Sequence, residues 1–194
     1  MKKNFLKVAT GVLFIGAMSM MFVSCKTAKV LSPADSGEVE IKTPCSGAEF
    51  NSNSKALRFS AIGESMDQMT AKKKAMSEAR AGLAGAINTL VKGVTDNYVK
   101  SGNYNNKEEL MKNYEGMNRE VINQSLAGSV VICEKATVIK SSGNYKYYVC
   151  LELGGSDILQ QINNKMTNNE QLKVDYNYEK YKKTFNEEMG KIGQ

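Results

Sequence analysis

Residues 57–98 read LRFSAIGESMDQMTAKKKAMSEARAGLAGAINTLVKGVTDNY, and this stretch decides the fold. Its first residues alternate apolar and polar side chains, which is typical of a β-strand that ends at Gly63. The spacing of apolar residues then changes to three, four or seven, the period of an α-helix that Ser65 is placed to cap. The predicted apolar face of this helix consists of Met66, Met69, Met76, Leu83, Ile87, Leu90, Val94 and Tyr98.

A stripe of small residues runs along the same helix and consists of Ala75, Ala79, Gly82 and Ala86. Glycine inside a helix is about 1 kcal/mol less favourable than alanine, so its presence there needs a packing reason. We therefore predict that the stripe approaches the sheet or a second helix closely, and that it serves packing rather than chemistry.

The rest of the chain predicts a second helix, a strand pair and further helices. The second helix runs from about residue 107 to 125, with apolar residues at helical spacing. Residues 130–138 and 145–153 alternate on either side of a turn, which indicates an antiparallel hairpin. Two helices follow the hairpin. This order predicts an α+β two-layer domain, in which a short antiparallel sheet, made of one strand and then a hairpin, is packed by two long helices, with C-terminal helices beyond.

The N-terminus has the pattern of a bacterial lipoprotein signal. Lys2, Lys3 and Lys7 precede a charge-free run of 16 residues, which is shorter than the roughly 20 residues of a membrane-spanning helix. The run ends in the sequence FVSC, which resembles a lipobox. We therefore expect Cys25 to be the site of lipid attachment and to become the mature N-terminus.

This signal also predicts the organisation and location of the protein. Residues 1–24 are expected to be the lipoprotein signal peptide, residues 25–54 the lipidated N-terminus and a tether, and residues 55–194 a single α+β domain. Lys26 stands where an aspartate would resemble an inner-membrane retention signal. We therefore expect a lipid anchor in the outer membrane, with the domain on the periplasmic face.

The composition excludes several classes of function. The chain has no histidine, which removes Ser-His-Asp and Cys-His catalysis and every His-bearing metal site. Loss of the signal peptide removes three of the 26 basic residues, which leaves 23 against 20 acidic residues and a net charge of +3. So small a charge does not favour a nucleic-acid partner. We expect no catalytic residue, no metal and no cofactor.

Three cysteines remain besides the one expected to carry lipid, and a periplasmic location would allow one disulfide among them. Cys133 lies opposite Cys150 only if the hairpin turn is a four-residue loop over residues 140–143, because a two-residue loop would place Cys133 opposite Glu152. Cys133 can equally pair with Cys45, if the segment around Cys45 lies along the sheet. The sequence leaves both pairings open, and it also leaves open that no disulfide forms.

Tyr148 is the candidate residue for a binding surface, provided that it is exposed. Tyrosine has an apolar ring and a polar tip, so it serves cores and interfaces alike. The acidic residues are explained by helix capping or by solvated helix faces, and we expect them to be scattered rather than to converge in a cleft. These residues are Glu64, Asp67, Glu78, Glu108, Glu109, Glu134 and Glu152.

Several segments resemble the LPP20-type family of bacterial lipoproteins. They are AIGESMD at residues 61–67, ARAGLA at residues 79–84, VINQSLAG at residues 121–128 and the Tyr-rich hairpin that follows. The resemblance covers about residues 44–153 and implies that residues 55–194 contain an LPP20-like domain. Family members are envelope lipoproteins described as membrane-associated antigens, mostly of unknown function, and similar domains occur in flagellum-associated envelope proteins. The resemblance implies no catalytic residues.

Together these features predict a non-enzymatic interaction or structural module. We expect a lipid-anchored envelope lipoprotein that binds an envelope protein or a cell-wall component. One alternative is a periplasmic hydrolase with a carboxylate or serine site that the sequence does not reveal. Another is a surface-exposed adhesin or antigen.

Overall fold

A computed structural model describes residues 37, 39, 41–102, 104 and 106–192. Its strands and helices follow one another in the predicted order, with two extra short helices, a 3-10 helix at Ala48–Phe50 and an α-helix at Glu170–Lys173. The chain divides into a unit of residues 1–40 and a unit of residues 41–194, and every element named below lies in the second unit. The strands are β1 (Ala56–Ser65), β2 (Val130–Val138) and β3 (Tyr145–Gly154), and the helices are α1 (Gln68–Lys100), α2 (Lys107–Ala127), α3 (Gly155–Asn168), α4 (Glu170–Lys173) and α5 (Tyr178–Gly190).

The three strands form one antiparallel sheet in the order β1-β3-β2. The β2–β3 hairpin closes where the Ile139 amide donates a hydrogen bond to the Asn144 carbonyl oxygen at 2.8 Å, which leaves a four-residue loop. Gly143 in this loop has a φ of 74°, a left-handed conformation that glycine adopts without steric penalty. The predicted α+β fold, an antiparallel sheet packed by long helices with helices at the C-terminus, is confirmed.

Helix α1 lies across one face of the sheet, the inner face, and small residues of the helix lie close to β1. A Cβ atom added to Gly63 of β1 would lie 2.1 Å from the carbonyl oxygen of Ala71 and 2.5 Å from the amide nitrogen of Ala75. A Cβ atom added to Gly82 would lie 2.2 Å from the ring of Phe59 on the same strand. The prediction that small residues of this helix pack closely against the sheet is therefore confirmed.

The beginning of α1 differs from the prediction in two respects. Met66 and Met69, predicted to lie on the buried face, are 84% and 59% exposed. The helix face turned toward β1 carries alanines there, at a separation too short for a methionine side chain. The cap is not Ser65 but Asp67, whose carboxylate accepts a hydrogen bond from the Thr70 amide at 2.7 Å.

The second half of α1 packs against α2 and α5, and its predicted apolar residues from Leu83 to Tyr98 are buried. Tyr98 connects the helices through its hydroxyl group. That group donates a hydrogen bond to the Asp175 carbonyl oxygen at 3.0 Å and accepts one from the Asn177 amide at 2.8 Å. Tyr98 thus holds the end of α1 to the segment that leads into α5.

Candidate functional site

The outer face of the sheet, opposite α1, contacts the end of the predicted tether, residues 45–53. The hydroxyl of Ser60 on β1 donates a hydrogen bond to the Cys45 carbonyl oxygen at 2.6 Å. The hydroxyl of Ser52 accepts a hydrogen bond from the Arg58 amide at 2.8 Å and donates one to the Arg58 carbonyl oxygen at 3.0 Å. This segment is therefore held on the sheet by hydrogen bonds at both of its ends.

A disulfide bond joins Cys45 of this segment to Cys133 of β2, with the two Cα atoms 5.5 Å apart. The hairpin nevertheless has the four-residue loop, so Cys133 also lies directly opposite Cys150 of β3 in the strand ladder. Cys150 has no disulfide partner and is 0% exposed, with its sulfur 3.9 Å from the Phe50 carbonyl oxygen. Of the two pairings left open by the sequence, the structure contains the one with Cys45.

Tyr148 lies on the same outer face as Cys150 and is half-buried. Its carbonyl oxygen is 3.9 Å from the sulfur of Cys45, beside the disulfide. Its neighbours in the ladder are Ile62 on β1 and Lys135 on β2. Tyr148 is thus not the fully exposed aromatic side chain that would mark a binding surface.

The acidic residues considered as catalytic candidates lie in different parts of the fold. Three of them form ion pairs that connect neighbouring strands or connect β2 to α1. These pairs are Arg58–Glu152 at 2.6 Å, Lys72–Glu134 at 2.7 Å and Lys146–Glu64 at 3.8 Å. Asp67 caps α1, the carboxylate of Glu109 accepts a hydrogen bond from the Asn106 side chain at 2.9 Å, and Glu78 and Glu108 are exposed on helix surfaces. Each of these positions has a structural explanation.

A cleft of about 250 Å³ lies between α1 and α2, which the periodicity of the two helices does not predict. Asn118 is the most informative residue of its lining, because the residue is only 8% exposed and its side-chain carbonyl oxygen has no hydrogen-bond partner in the described structure. An unpaired buried acceptor of this kind is destabilising unless a ligand or water supplies a donor. The cleft is lined by Asn88, Lys92, Thr95, Asp96, Met111, Glu115, Asn118 and Arg119.

The charges around the cleft are balanced, with Lys92 and Arg119 positive and Asp96 and Glu115 negative. Among the residues with described side chains, none of these four has an ion-pair partner within 4 Å. The cleft therefore offers an unpaired acceptor together with free charges of both signs. One sequence signal for it is Asn118, a polar residue four positions after Tyr114 and three before Val121 on the apolar face of α2.

Tyr114 supplies a second buried polar group without a partner. Its side chain is fully buried between helices, its ring stacks on that of Tyr181, and its hydroxyl has no hydrogen bond in the described part of the chain. Burial raises the pKa of the Tyr114 hydroxyl well above its ordinary value, so the group stays protonated. Among the described residues, all the buried side-chain polar atoms without a hydrogen-bond partner therefore lie on helices.

Over the residues that the structure describes, no group of three or more cysteine, aspartate and glutamate side chains is arranged to hold a metal ion. No helix within the described ranges is long and apolar enough to cross a membrane. Cys25, the expected lipid site, lies outside the described residues. Comparison of the chain with protein-family models, curated proteins and solved structures finds no match. The LPP20-type resemblance therefore stays a prediction.

Proposed function

We propose that this protein is a bacterial envelope lipoprotein, anchored by lipid on Cys25 in the outer membrane, whose domain serves as a non-enzymatic binding or structural module. The observation that carries this proposal is the Cys45–Cys133 disulfide. Disulfides persist in the periplasm and outside the cell, whereas the cytosol keeps thiols reduced. A disulfide in the folded unit therefore supports the export that the N-terminal sequence predicts.

The position of the disulfide also fits an anchored protein. It attaches the chain to the sheet about 20 residues after Cys25, and so many residues span at most about 70 Å when fully extended. A lipid on Cys25 would hold the domain near the membrane through that connection. Each acyl CH₂ group buried in the bilayer contributes about 0.8 kcal/mol, and more than one chain gives stable anchoring.

The α1–α2 cleft is the surface that we propose for binding. It is lined by Asn118, whose buried side-chain carbonyl oxygen has no donor among the described residues, and by free charges of both signs. A polar group that donates a hydrogen bond, carried by an envelope protein or a cell-wall component, satisfies this arrangement. The LPP20-type resemblance agrees with such a module, because it implies an envelope location and no catalytic residues.

The anchor is tested by labelling cells with a radioactive or clickable fatty acid and by separating their membranes. We expect the wild-type chain to take up label and to fractionate with the outer membrane. Cys25→Ser should lose both properties, whereas the matched control Cys150→Ser should keep them. A wild-type chain without label, or a Cys25→Ser chain that is processed and fractionates normally, contradicts the proposal.

The orientation is tested separately by treating intact and permeabilised cells with protease. A periplasmic domain is degraded only after the outer membrane is permeabilised. Digestion in intact cells would instead support the adhesin alternative.

A further inference from the structure

Cys45, Cys133 and Cys150 lie together on the outer face of the sheet, although one disulfide uses only two of them. We propose that they form a thiol–disulfide exchange site, in which Cys133 passes its bond between Cys150 and Cys45. The native state holds the Cys45–Cys133 bond, and the alternative state holds a Cys133–Cys150 bond between the two hairpin strands. This inference concerns the covalent chemistry of the fold and goes beyond the proposed binding function.

The strand register places both partners of Cys133 within bonding reach. Cys133 and Cys150 are directly opposite each other in an antiparallel ladder, so their side chains lie on one face and their Cα atoms are about 4.5–5.5 Å apart. Disulfides form at Cα separations of about 4.4–6.8 Å. The Cα separation in the existing Cys45–Cys133 bond is 5.5 Å. Exchange thus requires no change in strand pairing.

The chemical step is balanced without an oxidant or a reductant. The thiolate of Cys150 attacks the sulfur of Cys133, so that a Cys133–Cys150 bond forms while the Cys45–Cys133 bond breaks. Cys45 leaves as a thiolate and takes up one proton, which replaces the proton that Cys150 lost. The number of disulfide bonds and of free thiols stays the same.

Residues 45–53, the tether segment, control the step because they cover the thiol of Cys150 that must attack. Cys150 is 0% exposed, and its sulfur faces the carbonyl oxygen of Phe50 in that segment. Cys45 has a φ of 57°, in the left-handed region that residues with a side chain rarely adopt. The bond to Cys133 is one of the attachments of residues 45–53 to the sheet, so exchange is coupled to loosening of this segment.

The same geometry predicts the order of events during folding. Cys133 and Cys150 are 17 residues apart, whereas Cys45 and Cys133 are 88 residues apart. Loop closure in a flexible chain becomes less frequent with the 3/2 power of loop length, so the short loop closes about tenfold more often. The hairpin bond should form first and should pass to Cys45 when the tether segment docks. If the lipid anchor of the proposed function is present, exchange from Cys45 back to Cys150 would add at most about 40 Å of extended chain to the tether.

The experiment follows the disulfides during oxidative refolding of the full chain. The chain carries Cys25→Ser, so that only three thiols are present and the result does not depend on lipidation. Samples are trapped with an alkylating reagent, digested without reduction and analysed by mass spectrometry. We expect the Cys133–Cys150 peptide pair to exceed the Cys45–Cys133 pair about tenfold at early times and then to convert into it after the oxidant is removed.

Two variants make the result decisive. With Cys150→Ser, the Cys45–Cys133 bond should form slowly and without a precursor. With Cys45→Ser, the Cys133–Cys150 bond should form completely, and this measurement stands even if Cys150→Ser folds poorly. Direct formation of Cys45–Cys133 in the three-thiol chain, with no Cys133–Cys150 species at any time, would overturn the proposal. So would a Cys45→Ser chain that keeps both remaining thiols free under oxidising conditions.

Discussion

Gly63 of β1 lies against the backbone of α1, so Gly63→Ala is a sharp test of the packing described above. The new methyl carbon would lie 2.1 Å from the Ala71 carbonyl oxygen and 2.5 Å from the Ala75 amide nitrogen. Both are backbone atoms of α1 and cannot rotate away. Ordinary van der Waals contact begins at about 3.4 Å, so β1 and α1 must separate locally by about 1.3 Å.

This separation sets the expected loss of stability. Insertion of a methyl group into a well-packed core typically costs 1–3 kcal/mol, and a gap of 0.5–1 Å already removes a quarter to a half of the dispersion energy of the atoms that line it. Replacement of glycine by alanine returns about 0.4–1 kcal/mol, because the unfolded chain has less freedom. We expect a net loss of about 3 kcal/mol in the free energy of unfolding, since the clash is with backbone on both sides.

Two glycines of α1 provide matched controls. An alanine Cβ at Gly85 would meet no atom within 4 Å, so Gly85→Ala should stabilise the protein by about 0.5–1 kcal/mol. The three atoms nearest to an alanine Cβ at Gly82 all belong to the ring of Phe59, a partly exposed side chain that is able to move. Gly82→Ala should therefore fall between the other two variants.

The three variants are compared by urea unfolding with the disulfide intact, and equal m-values establish that the denatured states are comparable. For a domain of this size, a loss of 3 kcal/mol corresponds to a decrease in Tm of roughly 6–12 °C. A Gly63→Ala protein within 0.5 kcal/mol of the wild type, or no more destabilised than Gly82→Ala, would show that the reasoning about helix–strand distance is wrong.

Three further predictions concern polar groups. Tyr98→Phe leaves the Asp175 carbonyl and the Asn177 amide without their partner, so it should lower the free energy of unfolding by about 1–3 kcal/mol. Tyr114→Phe removes an unpaired hydroxyl, so it should leave the free energy of unfolding unchanged or raise it. Equal losses in urea unfolding would contradict this pair. Asn118→Leu should leave stability unchanged or raise it by about 1 kcal/mol while abolishing binding in the cleft; a clear loss would mean that the amide has a structural partner. Hydrogen bonds from the Thr70 side chain and backbone lower the pKa of Asp67 below its ordinary value of 3.8, so the stability that Asp67 confers is present above that pH and disappears as the pH falls through the lowered pKa. The difference in unfolding free energy between the wild type and Asp67→Ala should therefore vanish in strong acid, and a difference that is unchanged there would contradict the assignment.

The elements of this fold could be predicted because their signals are local. Alternation of apolar residues marks β1 and the hairpin strands, and helical spacing marks the helices, so each element follows from residues a few positions apart. The error at Met66 and Met69 arose at an element boundary, where the helical period was extended through the capping residue. Periodicity shows which residues share a face but does not show how near the neighbouring layer lies.

Less of the candidate site than of the fold could be predicted from the sequence. The two pairings of Cys133 were recognised, but the choice between them depends on where residues 45–53 lie relative to the sheet. The cleft was missed because its lining comes from two antiparallel neighbours in the fold, α1 and α2, and because single polar residues on apolar faces are common. Within the described part of the chain, the cleft is distinguished by the absence of hydrogen-bond partners for the buried side-chain oxygens of Thr95 and Asn118, and that absence is a property of three-dimensional packing.

The sequence alone was sufficient to predict the α+β class, the four-residue hairpin loop as one of two alternatives and the small-residue stripe. These features follow from backbone preferences and from side-chain spacing along one element. The strand order β1-β3-β2, the pairing of Cys133 with Cys45, the burial of Cys150 and the cleft between α1 and α2 depend on tertiary structure. They depend on it because each brings together residues from distant parts of the chain, and such contacts are selected by the packing of whole layers rather than by the residues adjacent to them.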